Sequence, residues 1–456
     1  MGEVLPQTEN CSTNADEDCD GVGTCPNGFL WSDSFGSVGG WQYAMGVAVD
    51  GADNIVVAGA MEGTINYGGS PFTSAGLSDA VIVKFDAQGN HLWSKFAGDT
   101  DYDSGASIDT NAANDVVMTG YYGGTINFGP APHTSLGFAD MFLVKYDAQG
   151  NALFSKSFGG SAYDYPAEVR FAANGDIVVA GFSTGTIDFG GPPLTSSGGA
   201  DIVVAKLDAA GNHIWSKKFG STGSQRCQSM AIDASGNIWL TGDFDGALNF
   251  GGATLNGAGS DDVYVAKLDA SGNHLFSASY GDSASQISWA MNVEATSGDV
   301  FVLGGFLGSI DFGGPGSFNA GTGQDDVFLA RFATSGSHVW SHATGDSAYQ
   351  AGLGVDFQSN GASIAVGSFG GTVDFGGGNV SAMGMNDAFV TKSDAGGAHL
   401  STLQYGDSGF QYATDVAIDS ADNIVLIGEF DGTIDFGGGA MAAVGTNDMW
   451  IAKLAP

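Results

Sequence analysis

A six-residue signature, Gly-[Thr/Ser/Ala]-hydrophobic-[Asp/Asn]-aromatic-Gly, recurs seven times, beginning at Gly63, Gly124, Gly185, Gly246, Gly308, Gly371 and Gly432. Successive copies lie 61 to 63 residues apart. A period this constant implies a repeat architecture and overrides the estimate of about three domains that a 456-residue length suggests. One such unit cannot bury its own apolar faces and must lean on its neighbours.

The residue choices point to strands and tight turns. Glycine makes up 75 of 456 residues, and only 7 of the 50 acids are Glu. Asp and Gly form turns whereas Glu favours helices, so an all-β chain is expected. Within a unit, Ala44–Val49 alternates apolar residues and leads through the turn Asp50–Asn54 into a strand at Ile55–Gly59. A Gly-rich connection follows, then a strand at Ala80–Phe85, the turn Asp86–Asn90 and a fourth strand at Leu92–Phe96. The Asp-x-x-Gly-Asn turns suit hairpins, with Gly at positive φ and Asp bonding the following amides.

The ends of the chain complement each other. Phe29–Gly36 (FLWSDSFG) matches the fourth strands of later units, such as His213–Gly220 (HIWSKKFG). The chain ends at Asp448–Leu454 (DMWIAKL), which matches a third strand. The first strand is therefore the piece missing from the last unit, as in a closed ring without exposed edges. The expected fold over residues 29–456 is a single all-β, seven-bladed β-propeller with four antiparallel strands per blade, preceded by a Cys/Asp-rich tail at 1–28.

The repeated phrase, seen as Asn54–Gly59 (NIVVAG) and Asp79–Ser94 (DAVIVKFDAQGNHLWS), resembles the bacterial seven-bladed β-propeller repeats of extracellular and cell-surface proteins. The resemblance covers about residues 29–456; it implies the fold and an exported location but no single activity. Unit six departs most, with Ser401 where other units carry Trp or Phe.

The formal charge of −37, with 13 Lys and Arg, lacks the basic footprint of a nucleic-acid binder and disfavours anionic membrane surfaces. No run of about 18 apolar residues is present, so no membrane insertion is expected. The opening MGEVLPQTEN has no apolar signal core, so the chain is either cytosolic or has lost a signal segment. Cys11, Cys19 and Cys25, set among acidic residues, favour the second reading and an oxidising compartment. Cys227 is the fourth cysteine, and three pairings are open if all four join.

The stretch NCSTNADEDCDG places Asp16, Asp18, Asp20 and Gly21 at the spacing of a calcium loop. It resembles the metal-binding motifs of secreted bacterial proteins and thrombospondin type 3 repeats, with calcium as the implied ion. It departs at the twelfth loop position, where Asn27 stands in place of the bidentate acid, so binding would be weak.

Candidate binding residues form a ring. The link into each first strand carries Gln42, Asp103, Asp164, Gln225, Gln286, Gln350 or Gln411 at one phase. Trp41, Tyr102, Tyr163, Tyr349 and Phe410 precede five of these; Ser224 and Ser285 precede the other two. The first strand of a propeller blade is innermost, so these residues circle one mouth of the axis. They make either an aromatic-rimmed binding face or a repeated set of hydrogen bonds between blades. Deeper on the same strands, mostly small residues give way to Asp109, Glu168, Arg170, Asp356 and Asp415. Such carboxylates could hold a cation or perform acid–base work, or Glu168 and Arg170 could simply pair.

Two further patterns read as structural. Each unit has an Asp-x4-Lys/Arg pair such as Asp79/Lys84, expected to tie the blade internally. His91, His213, His274, His338 and His399 share one turn phase on separate blades and cannot meet at one metal.

No nucleophile elbow, zinc helix or phosphate loop is present. The expected function is a non-enzymatic, secreted or surface-displayed module that presents one propeller face to a glycan or protein. The alternatives are a lyase or hydrolase using the axial carboxylates, and a scaffold that self-associates.

Overall fold

The computed structural model describes residues 28–314, 316–321 and 323–456. Asp16, Asp18, Asp20 and the three tail cysteines lie outside these residues. Seven four-stranded antiparallel sheets are present, and their inner strands are Gln42–Val49, Asp103–Thr110, Asp164–Phe171, Gln225–Ile232, Gln286–Val293, Gln350–Phe357 and Gln411–Ile418 (blades one to seven). The fold is the expected seven-bladed propeller. Strands run one or two residues longer than their alternation suggested, for example Ile55–Met61 and Asp79–Phe85. The Gly-rich connection holds a two-residue ribbon, Thr64–Ile65 against Phe72–Thr73.

Ring closure is as expected. Phe29–Phe35 lies antiparallel to Asp448–Leu454, with Phe35 opposite Met449 and Phe29 opposite Leu454. A backbone bond from Gln42 to Asn447 (3.0 Å) repeats the bonds of Asp103 to Ser78, Gln225 to Ala200 and Gln411 to Asn386 at 2.7–2.9 Å. The join between the last blade and the first thus uses the same geometry as every other join.

The apolar cores lie between blades. One cluster combines Val57, Val83 and Phe85 of blade one with Val425, Ile427 and Ile451 of blade seven. Another combines Ala58 and Ile82 of blade one with Met118, Phe142 and Tyr146 of blade two. The second and third strands of each blade face such a gap on both sides, which is why they read as continuous apolar runs. Phe35, from the closing strand, stacks on Phe85 (5.6 Å) and packs at a tilt against Tyr67 (5.1 Å), both of blade one.

The cation near the end of the third strand has, in six of the seven blades, a different partner from the one expected. Lys84 lies five residues from Asp79, about 16 Å along an extended strand, and cannot reach it. It pairs instead with Asp50 of the hairpin turn at 2.6 Å, both side chains being buried. Lys145–Asp115, Lys206–Asp176, Lys267–Asp233, Arg331–Asp299 and Lys453–Asp419 repeat this at 2.7–3.2 Å. The tie is internal to the blade, as expected, but runs to the first hairpin. The repeated histidines begin the outer strands, and Nε2 of His91 and His213 meets Ser94 and Ser216 at 3.0 and 3.1 Å.

The Trp of the repeat phrase fastens one blade to the next. Nε1 of Trp31, Trp93 and Trp215 donates to the carbonyls of Ala87, Ala148 and Ala270 at 3.1–3.2 Å, each in the outer hairpin of the following blade. The indole of Trp93 covers Gly150, which has φ of 78°; a Cβ there would lie 2.7 Å from the ring. Glycine is therefore required at that turn for both backbone and space. Cys227 is fully buried in the blade three–four core, and burial pushes its thiol up to about 12.

Phe35→Ala should cost about 3–5 kcal/mol, because it empties the seam between the first and last blades. Equilibrium urea unfolding measures this, and a loss under 1 kcal/mol would show that closure contributes little. Lys84→Met should cost about 3–5 kcal/mol by leaving Asp50 buried without its cation. Adding Asp50→Asn to that variant should recover part of the loss in the same assay.

Candidate functional site

Every inner strand carries a β-bulge at one phase, between Ala44 and Gly46, Gly105 and Ser107, Pro166 and Glu168, Cys227 and Ser229, Ser288 and Ala290, Gly352 and Gly354, and Ala413 and Asp415. The extra residue re-aims the side chains that follow it. Residues before the bulge build one mouth of the axis. Those after it line an axial channel of about 650 Å³.

The polar half of the expected ring turns inward. Gln42, Asp103, Asp164, Gln225, Gln286, Gln350 and Gln411 are all fully buried. Gln225 accepts from the Ser221 amide (2.8 Å) and donates to the Asp245 carbonyl (2.9 Å). Gln286, Gln350 and Gln411 make equivalent bonds to Leu307, Gly370 and Asp431 at 2.8–3.0 Å. These side chains tie the incoming link to its own blade, a repeated hydrogen-bond set as one reading expected but within each blade and not between blades. Asp103 and Asp164 can only accept, and Oδ1 of each has no hydrogen-bond partner. Burial pushes Asp103 up to about 7 and Asp164 up to about 6.

The aromatic half is exposed. Trp41, Tyr102, Tyr163 and Phe410 are 44, 62, 44 and 38% accessible, and Tyr349 is half-buried. A second aromatic layer two residues on, not singled out from the sequence, supports the first. Tyr43 stacks on Trp41 at 6.1 Å, Tyr165 on Tyr163 at 5.9 Å and Tyr412 on Phe410 at 6.3 Å. Tyr121, on the second strand of blade two, meets Tyr165 edge-on at 4.8 Å and bridges blades two and three. The result is an aromatic arc over blades seven, one, two and three. Blade four is different: Arg226 pairs with Asp243 at 3.1 Å and Gln228 donates to the same carboxylate at 2.8 Å. The signal for this layer was available as an alternation of two from the ring position, where Tyr43, Ser104, Tyr165, Arg226, Ile287, Ala351 and Tyr412 depart from one another.

The axial charges act mainly as clasps between blades. Asp109 accepts the Thr110 amide of its own strand (2.9 Å) and the Phe171 amide of the next blade (2.7 Å). Asp356 accepts Phe357 and Ile418 amides, each at 2.8 Å, and Asp415 accepts Val416 and, across the ring closure, Val47, each at 2.9 Å. Glu168 pairs with Arg170 at 2.8 Å, as one expected reading held, and Ser107 and Ser229 also donate to Glu168. Burial pushes Asp356 up to about 6 and Asp415 up to about 7, and it raises Asp109 against the pull of Arg170. Each oxygen of Asp109, Asp356 and Asp415 already accepts an amide, which suits a structural role better than acid–base work. Among the described residues, no group of three or more His, Cys, Asp or Glu side chains has the geometry to hold a metal.

The fold and this mouth define a seven-bladed β-propeller with one chemically uneven face. No family model matches the chain. It is 23% identical over 409 residues to the uncharacterized WD repeat-containing protein L264 of Acanthamoeba polyphaga mimivirus, a match covering 72% of this chain and 29% of that protein. It is 25% identical over 425 residues to the regulatory protein FlaEY of Caulobacter vibrioides, covering 85% of this chain and 43% of that one. The chain thus spans less than half the length of these curated relatives. Among solved structures, a chain of the mitotic checkpoint complex superposes with a TM-score of 0.49 at 9% identity, covering 95% of this chain and 93% of that one. YCF48 bound to D1 peptide gives 0.44 at 9% identity, covering 94 and 96%.

Glu429, opposite Tyr412 at the mouth, is pushed up to about 7 by burial, against a 2.7 Å bond from Asn447. A carboxyl raised in the folded state contributes stability fully below its unfolded pKa, near 4.3, and loses it as pH rises through about 7. Asp103, Asp164, Asp356 and Asp415 act in the same sense. The native state should therefore be more stable at pH 5 than at pH 8. Glu429→Gln should match wild type at pH 4 and exceed it at pH 8 by about 1–2 kcal/mol. Thermal unfolding across that range checks this, and a pH-independent difference would overturn it.

Proposed function

We propose that this propeller is a non-enzymatic protein-interaction module whose mouth, at the Trp41–Tyr163 end of the axis, is the contact face. The observation that carries this reading is the exposed aromatic arc. Rings on blades seven, one and three are held in stacked pairs at the surface, and Tyr102 of blade two stands exposed between them. Large, rigid aromatics with few rotamers are the residues that anchor protein interfaces. A repeat selected for the blade alone would place equivalent residues on all seven blades, yet blades four and five carry Ser224 and Ser285. The WD repeat-containing relative and the regulatory relative fit an interaction role.

The finer features belong to the same proposal. The cysteine-dense start supports export to a secreted or cell-surface location. Calcium at Asp16, Asp18 and Asp20 rests on their spacing. A glycan would also stack on the arc, and a second copy of the chain could cover it. The clasping role of Asp109, Asp356 and Asp415 weighs against the lyase or hydrolase reading.

A photo-crosslinking residue tests the contact face. Placed at Tyr102, it should trap a discrete protein from an extract of the source cells, and placed at Leu275 on the outer strand of blade four it should not. Equal capture at both positions, or capture only at Leu275, overturns the reading; so would a trapped glycan or trapped dimer in place of a protein partner.

A further inference from the structure

Part of the aromatic arc is a recess of about 540 Å³ between blades one and two. Trp41 and Tyr43 form one wall, with rings 16° from parallel, and Tyr102 and Tyr121 of the next blade form another. Met45, the bulged residue of blade one, adds an apolar wall, and Glu62 places a carboxylate in the recess. Oε2 of Glu62 accepts the Trp41 amide at 3.3 Å, which fixes the acid beside the indole.

The charge around this recess has one sign. None of the 13 Lys and Arg residues lines it. The charged groups that act on Tyr43 are Glu429 and Glu62, and the one that acts on Tyr121 is Asp103. Aromatic faces present negative potential, and several of them around a carboxylate favour a cation with an apolar sheath. An anionic side chain would be repelled. A neutral apolar one would cover Glu62 and leave its charge without a partner.

Resting on the contact-face reading, we propose that this recess takes the cationic side chain of the protein partner: a lysine, a methylated lysine or an arginine. The positive head would lie among Trp41, Tyr43, Tyr102 and Tyr121 with Glu62 as counter-ion, and its methylene stem would run along Met45. The long −37 background attracts such a group from a distance, and the recess supplies the short-range selectivity.

Ligand-observed NMR on the full chain tests this with three N-acetylated amide probes, of lysine, trimethyllysine and arginine, and with the neutral carbon isostere of trimethyllysine. At least one cationic probe should bind saturably, about tenfold tighter than the neutral isostere. Tyr102→Ala should abolish that binding, and Glu62→Gln should weaken it about threefold to tenfold, with thermal midpoints near wild type. Equal binding of the isostere, or binding insensitive to Tyr102→Ala and Glu62→Gln, overturns the proposal. So does the absence of saturable binding by all three cations. A partner trapped through Tyr102 without cation selectivity would sink this inference and leave the contact face standing. Failure to trap any partner would instead remove the reading beneath it.

Discussion

Burial between blades is the constraint on which the rest of this structure depends. The second and third strands of each sheet carry apolar residues on both faces, so no blade has a core of its own. Val57 and Val83 are covered only because Val425 and Ile451 arrive from the other end of the chain. That demand makes closure compulsory, since an unclosed ring would leave two apolar sheet faces in water. The closing strand meets it twice over, pairing with Asp448–Leu454 and inserting Phe35 against Tyr67 and Phe85.

Polar groups do the aligning that apolar contact cannot. Greasy faces slide, whereas hydrogen bonds fix register. The indole of each repeat Trp reaches the next outer hairpin, and the axial Asp109, Asp356 and Asp415 reach the next inner strand, so the outer rim and the axis are both pinned. Charges that looked available for chemistry are used to hold amides of the neighbouring blade that its own sheet leaves unpaired. Their raised proton affinity is the cost of doing so in a crowded channel.

The mouth is freed by the same arrangement. With alignment handled by the buried Gln and Asp residues, positions one before and one after them are unconstrained by the blade and differ from repeat to repeat. That is where the aromatic arc and the Arg226–Asp243 pair stand. A uniform ring would offer seven equal sites; this one offers an aromatic recess between blades one and two and a charged pair on blade four.

The period, the turn residues and the matching ends determined by themselves that this chain is a closed seven-bladed ring, because those features report local geometry and a repeat reports its neighbours. Trp41, Tyr102, Tyr163 and Phe410 were legible as a rim for the same reason. Which side chains of that rim face water was decided only by tertiary structure. A two-residue alternation cannot say whether Gln42 or Trp41 turns inward, and the bulge at Met45 resets the alternation below it. The true partner of Lys84 was likewise hidden, since the acid that the repeat spacing pairs with it, Asp79, lies at the far end of an extended strand while Asp50 comes close only through the fold. Tyr43 and Tyr121 became part of one recess only when blade two was set beside blade one.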